Sequence, residues 1–226
     1  MNPFIKAFEM IFSGNPEIYL IVFTSLRFSV TTALFSSAIS IPLGVTLWVH
    51  TFPAKKTIIA ILNTLMALPT VVVGLLVYSL LSRSGPLGFL SLLFTPGAVI
   101  IGQTFLAFPI ITSMVFVGLN KLDFQLHETL ITLGSSKLDI FRMTLKEARF
   151  IILSAVLAGF GRVIGEVGVS MMLGGNIRWY TRTITTAIAL ETSKGEIELG
   201  LALGIILLII AFVVNFSLHR LVRYEN

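Results

Sequence analysis

Two charged residues stand inside a long apolar run. The stretch FGRVIGEVGVSMMLGGN, Phe160 to Asn176, carries Arg162 and Glu166 four residues apart, within an apolar segment from Ile151 to Leu173. On one continuous helix that spacing puts both side chains on one face. A lone charge near mid-bilayer costs at least about 2.5 kcal/mol, so such a pair must face protein or water. Two chemistries fit. Arg162 can offer positive charge to a passing oxyanion while Glu166 holds it in place, or the two form a structural ion pair that locks a helix bundle. The structural role is favoured, because an arginine paired with a carboxylate has little charge left for a passing ion. Gly159, Gly161, Gly165 and Gly168 surround the pair, and Gly161-x-x-x-Gly165 gives a neighbouring backbone room to approach.

The second informative stretch is a polar island, Leu119 to Arg149, flanked by apolar runs long enough to cross a bilayer. It is patterned as a helix pair. Leu126, Leu130 and Leu133 share one side of a helix that Asp123 can cap. Gly134 stands where that helix must stop and turn. Ser136 and Asp139 then form the S-x-x-D start of a second helix, with Leu138, Phe141 and Leu145 as its apolar stripe. An apolar-faced helical hairpin outside the membrane needs a docking partner, and another protein fits best.

The elements that position these residues follow from composition. A mean hydropathy of +0.95, with 12% charged and 55% hydrophobic residues, marks an integral membrane protein. At about 20 residues per crossing, five spans are expected, at about 28–49, 57–81, 98–118, 151–173 and 199–218. The apolar segment Ile18 to Phe23 is too short to cross separately. Helices are the default, because a bilayer offers no water to backbone groups. The net charge of +5 does not argue for nucleic acid, since the basic residues lie mainly at span ends, where topology and anionic lipid explain them. Lys55 and Lys56, the island's Lys121, Lys137, Arg142, Lys146 and Arg149, and then Arg220 and Arg223 fall on one side of five crossings. That bias predicts a cytoplasmic island and C-terminus, with the N-terminal segment 1–17 outside.

Pro42, Pro69 and Pro109 each fall inside an expected span, where proline removes a backbone donor and bends the helix. Leu68-Pro69-Thr70 is a candidate gate or pathway element, though proline is also simply commoner in membrane helices. Cysteine is absent, which excludes disulfides and thiolate metal sites. No G-x-x-x-x-G-K-[ST] loop, H-E-x-x-H or G-x-S-x-G occurs, and His50, His127 and His219 are scattered near span ends. Catalysis by this chain is not expected. The first seventeen residues lack the basic region and apolar core of a signal peptide.

The spacing from Glu128 to Gly134 resembles the E-A-A-x-x-x-G coupling loop of ABC importer permeases, although Thr129 and Leu130 replace small residues and Lys146-Glu147 stands where Leu-Pro is frequent. G-R-V-I-G-E-V-G followed by G-G-N-I resembles the A-R-x-x-G-E-x-G…G-N-I stretch of permeases for molybdate, tungstate and sulfate. The likeness continues from Thr185, Thr186 and Ala187 through ALETSKGEIELGLALG, most like the tungstate branch, and covers essentially Phe4 to Leu221. It implies an all-α integral membrane protein, five transmembrane helices of the type I ABC importer permease (MetI-like) kind, as a single domain over 1–226. It further implies a homodimeric pore in the cell membrane, two copies of an ABC ATPase that carry the ATP and Mg, and an extracytoplasmic oxyanion-binding protein docking near Ser82 to Gly97 and Asn176 to Glu198. The chain itself is expected to bind no cofactor. Glu128, Leu130, Gly134, Ser136, Leu138 and Phe141 become the expected ATPase-coupling residues, and Pro69, Thr70, Arg162 and Glu166 the expected pathway or ion-pair residues. A molybdate or sulfate permease is the near alternative. An ion-gradient-driven anion transporter would call for buried acids beyond Glu166 and internal repeats, neither of which is evident.

Overall fold

The computed structural model describes residues 3–121 and 132–223, and among them all regular structure is helical. In chain order the described α-helices are α1 (Pro3–Phe12), α2 (Pro16–Val49), α3 (Lys55–Met66), α4 (Thr70–Leu81), α5 (Pro96–Leu119), α6 (Lys137–Glu147), α7 (Arg149–Ile164), α8 (Gly168–Gly174), α9 (Ile184–Lys194) and α10 (Ile197–Arg223), with a 3-10 turn at Gly88–Leu90 between α4 and α5. Three of them, α2, α5 and α10, are long and apolar enough to cross a membrane, and two bent pairs raise the number of spans to five if each pair is one span.

The framework is α2 against α5. Ser25, Ser29, Thr32, Ser36 and Ser40 recur at three- and four-residue spacing on α2 and are buried. Small side chains let helices close in on each other where lipid supplies no hydrophobic drive. A Cβ added to Gly44 would lie 2.9 Å from Val115 Cβ and 3.2 Å from the Thr112 carbonyl oxygen, so glycine is required for this contact. α2 is longer than the expected first span. Pro16 at its first turn and the Asn15 side chain, which accepts from the Glu17 N–H, start it early and absorb Ile18 to Phe23 into one rod. Its 34 residues reach about 51 Å.

The three internal prolines behave differently. Pro42 and Pro109 lie within continuous helices, and buried Pro109 is braced by Ser40, whose hydroxyl donates to the Phe108 carbonyl at 3.1 Å. Pro69 instead separates α3 from α4 at a bend of 103°. Proline disfavours helical geometry at the preceding residue, and the two arms pack on different neighbours, α3 on α5 and α4 mainly on α8.

The fourth apolar segment is also jointed, and here one expectation is corrected. Arg162 and Glu166 do not share a continuous helix, because α7 ends at Ile164 and turns 64° into α8. In an uninterrupted helix the Glu166 carbonyl would receive the Ser170 N–H; instead it accepts from the Thr185 hydroxyl at 2.7 Å, while the Glu166 carboxylate accepts from the Val169 N–H at 3.2 Å. Side-chain bonds thus compete successfully with the helix ladder. Among the described residues of this one chain, a Cβ on Gly161 meets Val214 at 3.8 Å and one on Gly165 meets nothing within 4 Å, so no close approach over this pair is made within a single copy. The tight neighbour is Gly159, where a Cβ would fall 2.6 Å from Ile111 Cδ1.

Two helices were not expected from the sequence. α1 packs against α10. α9 begins with a reciprocal cap between Thr183 and Thr186 and ends at Gly195, whose φ of +82° suits glycine.

Candidate functional site

The two joints meet. A Cβ on Gly168, the first residue of α8, would lie 3.2 Å from Thr70 Oγ1, 3.1 Å from Val71 Cγ2 and 3.4 Å from Glu166 Oε1. The start of α4 at Pro69 and Thr70 therefore lies against the start of α8, with Glu166 beside both. Arg162 Nη1 donates to Glu166 Oε2 at 2.8 Å. Glu166 is 4% exposed while Arg162 is 36% exposed. The carboxylate is thus held from two sides, by Arg162 from α7 and by the Val169 N–H from α8, and negative charge at a helix start is favourable. The arginine keeps further guanidinium donors within reach of whatever fills the space outside. The sequence singled out all four of these residues, and the fold brings them to one place.

One polar residue escaped sequence reasoning. Gln103, in the first third of α5, is buried; its Oε1 accepts from Thr32 Oγ1 at 3.0 Å and its Nε2 donates to Ser170 Oγ at 3.1 Å and to the Val163 carbonyl at 3.5 Å. It therefore ties α2, α7 and α8 to α5 immediately behind the joint. The signal was available: an amide in an apolar span is costly unless partnered.

The two ends of the bundle differ in build. At one end, Val45 and Trp48 from α2, Leu119 from α5 and Ala148 at the α6–α7 junction form one buried cluster, and Lys55 lies 5.5 Å over the Phe116 ring. This is the end of the polar island. Glu128 and Leu130 lie outside the described residues. Gly134 has a φ of +74° and, among the described residues, nothing within 4 Å of a Cβ position, so the requirement shown there is conformational. Ser136 caps α6, its Oγ accepting from the Asp139 N–H at 3.2 Å. The expected stripe on α6 divides: Phe141 and Leu145 pack on the chain's own core, whereas Leu138 and the preceding Leu133 are exposed, at 55% and 75%. On α6, two of the three stripe residues thus anchor the helix to the bundle, and Leu138 is the exposed one of the three.

At the opposite end, Glu17 at the start of α2 accepts from Arg178 Nη2 at 2.7 Å and Nε at 2.8 Å, and from Arg182 Nη1 at 3.4 Å; Arg182 also lies 3.7 Å from Glu191. The direct bond to Glu17 raises the Arg178 pKa above the ordinary arginine value, with Coulombic attraction adding to it. This network fastens the 176–183 loop and α9 to the first turn of α2.

A helical bundle with jointed apolar spans and a helix-bearing loop at one end is the build of a membrane transport subunit. The chain belongs to the family described as binding-protein-dependent transport system inner membrane component, whose model matches residues 40–224. This is a family of transport permeases rather than enzymes. The chain is 38% identical over 218 residues to the tungstate uptake system permease protein TupB of Peptoclostridium acidaminophilum, covering 96% of each chain. It is 40% identical over 226 residues to TupB of Campylobacter jejuni, covering 95% of each. Among solved structures, an inward-facing form of the MetNI methionine ABC transporter superposes with a TM-score of 0.73 at 22% identity, covering 94% of this chain and 99% of the other, which shows the shared fold.

Proposed function

We propose that this chain is the pore-forming permease of an ATP-driven tungstate importer. The observation that carries the reading is relatedness from end to end to tungstate uptake permeases, 38% over 218 residues with 96% of both chains aligned. Two copies of the chain form the pore, two ATPase subunits carry ATP and Mg on the cytoplasmic side, and an oxyanion-binding protein delivers cargo outside. The island 119–149 receives the ATPase: Gly134 sets the turn, Ser136 fixes the start of α6, and Leu138, with Leu133 beside it, offers apolar contact. Phe141 positions α6 from behind, and Glu128 and Leu130 belong to the same stretch of sequence, 119–149. The binding protein meets the opposite end, over 82–97 and 176–198. The N-terminus faces outward and the C-terminus lies in the cytoplasm.

At the joint, Arg162 and Glu166 serve chiefly as a clasp between α7 and α8, next to the Pro69–Thr70 break. A second reading, in which Arg162 touches the anion, is favoured by one observation, its 36% exposure beside two helix breaks. The experiment is reconstitution with the ATPase and binding protein in vesicles, measuring ATP hydrolysis and internalised anion for tungstate, molybdate and sulfate. Tungstate should give the strongest stimulation. Equal or stronger stimulation by sulfate would replace the tungstate reading, and no co-purifying ATPase would end the importer reading.

A further inference from the structure

α1 divides into three faces around its axis. Ala7 is buried and Met10 and Ile11 are half-buried, packed in one cluster with Ala202 and Leu203 of α10 and Ile18 and Ile21 of α2. Lys6, Glu9 and Ser13 lie together on a polar face. The remaining sector holds Ile5, Phe8 and Phe12, exposed at 53%, 49% and 83%. At 100° per residue these three fall within about 60° of one another and opposite neither of the other faces alone. A helix with one face on its own bundle, one charged and one aromatic fits a boundary between water and hydrocarbon.

Its anchoring places it at such a boundary. Lys6 pairs with Glu198 at 3.3 Å. That residue marks a switch in sequence: Glu191, Lys194 and Glu196 precede it, and from Leu199 to Val214 α10 carries no charge. Tyr19 adds a second marker, exposed but with its hydroxyl donating to the Ile11 carbonyl at 3.2 Å, an amphipathic ring of the type enriched at membrane interfaces.

We infer that α1 is an interfacial helix, seated in the lipid headgroup layer with Ile5, Phe8 and Phe12 inserted toward the acyl chains and Lys6 and Glu9 in water. The lipid surface is its partner, and the helix steadies the outer end of α10 by fastening it to the bilayer. α1 precedes residues 40–224, so membership of the transport family does not by itself assign it this role.

The chain has no cysteine, so single cysteines can be placed without background. Nitroxide labels at Ile5, Phe8, Glu9, Phe12 and Ser13, in the full permease–ATPase complex in phosphatidylethanolamine/phosphatidylglycerol vesicles, report collisions with oxygen and with a water-soluble nickel chelate. The expected result is oxygen collisions exceeding nickel collisions several-fold at Ile5, Phe8 and Phe12, with the ratio reversed at Glu9 and Ser13. Nickel-dominated collisions at all five would overturn the inference. So would dipolar broadening between two labels at Phe8, which would place a second copy on this face. Loss of both collision types only when binding protein is added would assign the face to that protein instead. None of these readouts depends on which anion is carried.

Discussion

Glu166 is gripped from both sides of a helix break: Arg162 Nη1 reaches its Oε2 at 2.8 Å from α7, and the Val169 N–H reaches its Oε1 at 3.2 Å from α8. An i,i+4 ion pair on an unbroken helix would merely decorate one face. Here the carboxylate belongs to neither helix, and both ends of the joint depend on it.

The consequence for mutation is asymmetric. Removing one partner of a buried pair costs about 3–5 kcal/mol, but Arg162 is 36% exposed and water recovers part of that. Arg162→Ala should therefore destabilise by about 1–2 kcal/mol. Glu166→Ala, which also frees the Val169 N–H, should cost more, about 2–4 kcal/mol. The double alanine variant should assemble better than Glu166→Ala alone. Thermal unfolding of the purified protein and size-exclusion yield test this, and normal assembly of Arg162→Ala with lost uptake would favour the pathway role.

Gln103→Leu keeps side-chain volume close to the original but leaves Thr32 and Ser170 without their partner. Each buried hydroxyl left unpaired costs about 1–3 kcal/mol. The expected outcome is a clear fall in melting temperature, and Gln103→Glu should be worse than leucine because it adds a buried charge. An unchanged melting temperature for both would remove Gln103 from the frame.

Gly134 offers a conformational test. With φ at +74° and no described residue within 4 Å of its Cβ position, the substitution series should follow backbone preference and not size. Gly134→Val meets a left-handed penalty of about 1–2 kcal/mol and should insert at normal levels, pull down less ATPase and lose uptake. Gly134→Asn, which tolerates that geometry, should retain most uptake. Glu128→Ala should weaken coupling more mildly than valine does. Equal uptake by the valine and asparagine variants would mean that the turn has no role in coupling.

Topology can be read with the same absence of cysteine. Leu133→Cys, exposed at the island, should react with an impermeant maleimide only from the cytoplasmic side, and Ser193→Cys, exposed at the end of α9, only from outside. Labelling of both from one side would require an even number of crossings between them.

The apolar spans were legible because a bilayer imposes length and composition directly, and local caps such as Ser136 and Asp139 announce themselves in four residues. The joints were only half visible. Pro69 marks its break, but Pro42 and Pro109 carry the same residue without breaking, because α2 and α5 brace each other along their length. Nothing near Gly165 announces that the Thr185 hydroxyl, 19 positions beyond Glu166, will take the Glu166 carbonyl at the break. The charged clasp of Glu17 with Arg178 and Arg182 was likewise hidden, since its members lie more than 160 positions apart. Long-range partners decide such features, and sequence spacing does not record them.

Beside these jointed spans runs α2, about 51 Å of uninterrupted helix. Its first turn is clasped to the 176–183 loop through Glu17, and its last turns, at Val45 and Trp48, share a cluster with Ala148, where α6 joins α7. A rod held at both ends transmits rotation with leverage: tilting it by about 5° about its Trp48 end sweeps the Glu17 end through roughly 4 Å. The hydrocarbon layer is only about 30 Å thick, so α2 also leans or overhangs, which gives it room to pivot. A push on the loop beside Ala148 would thus have a stiff route to the opposite end of the bundle, one that bypasses both breaks at Pro69 and Glu166.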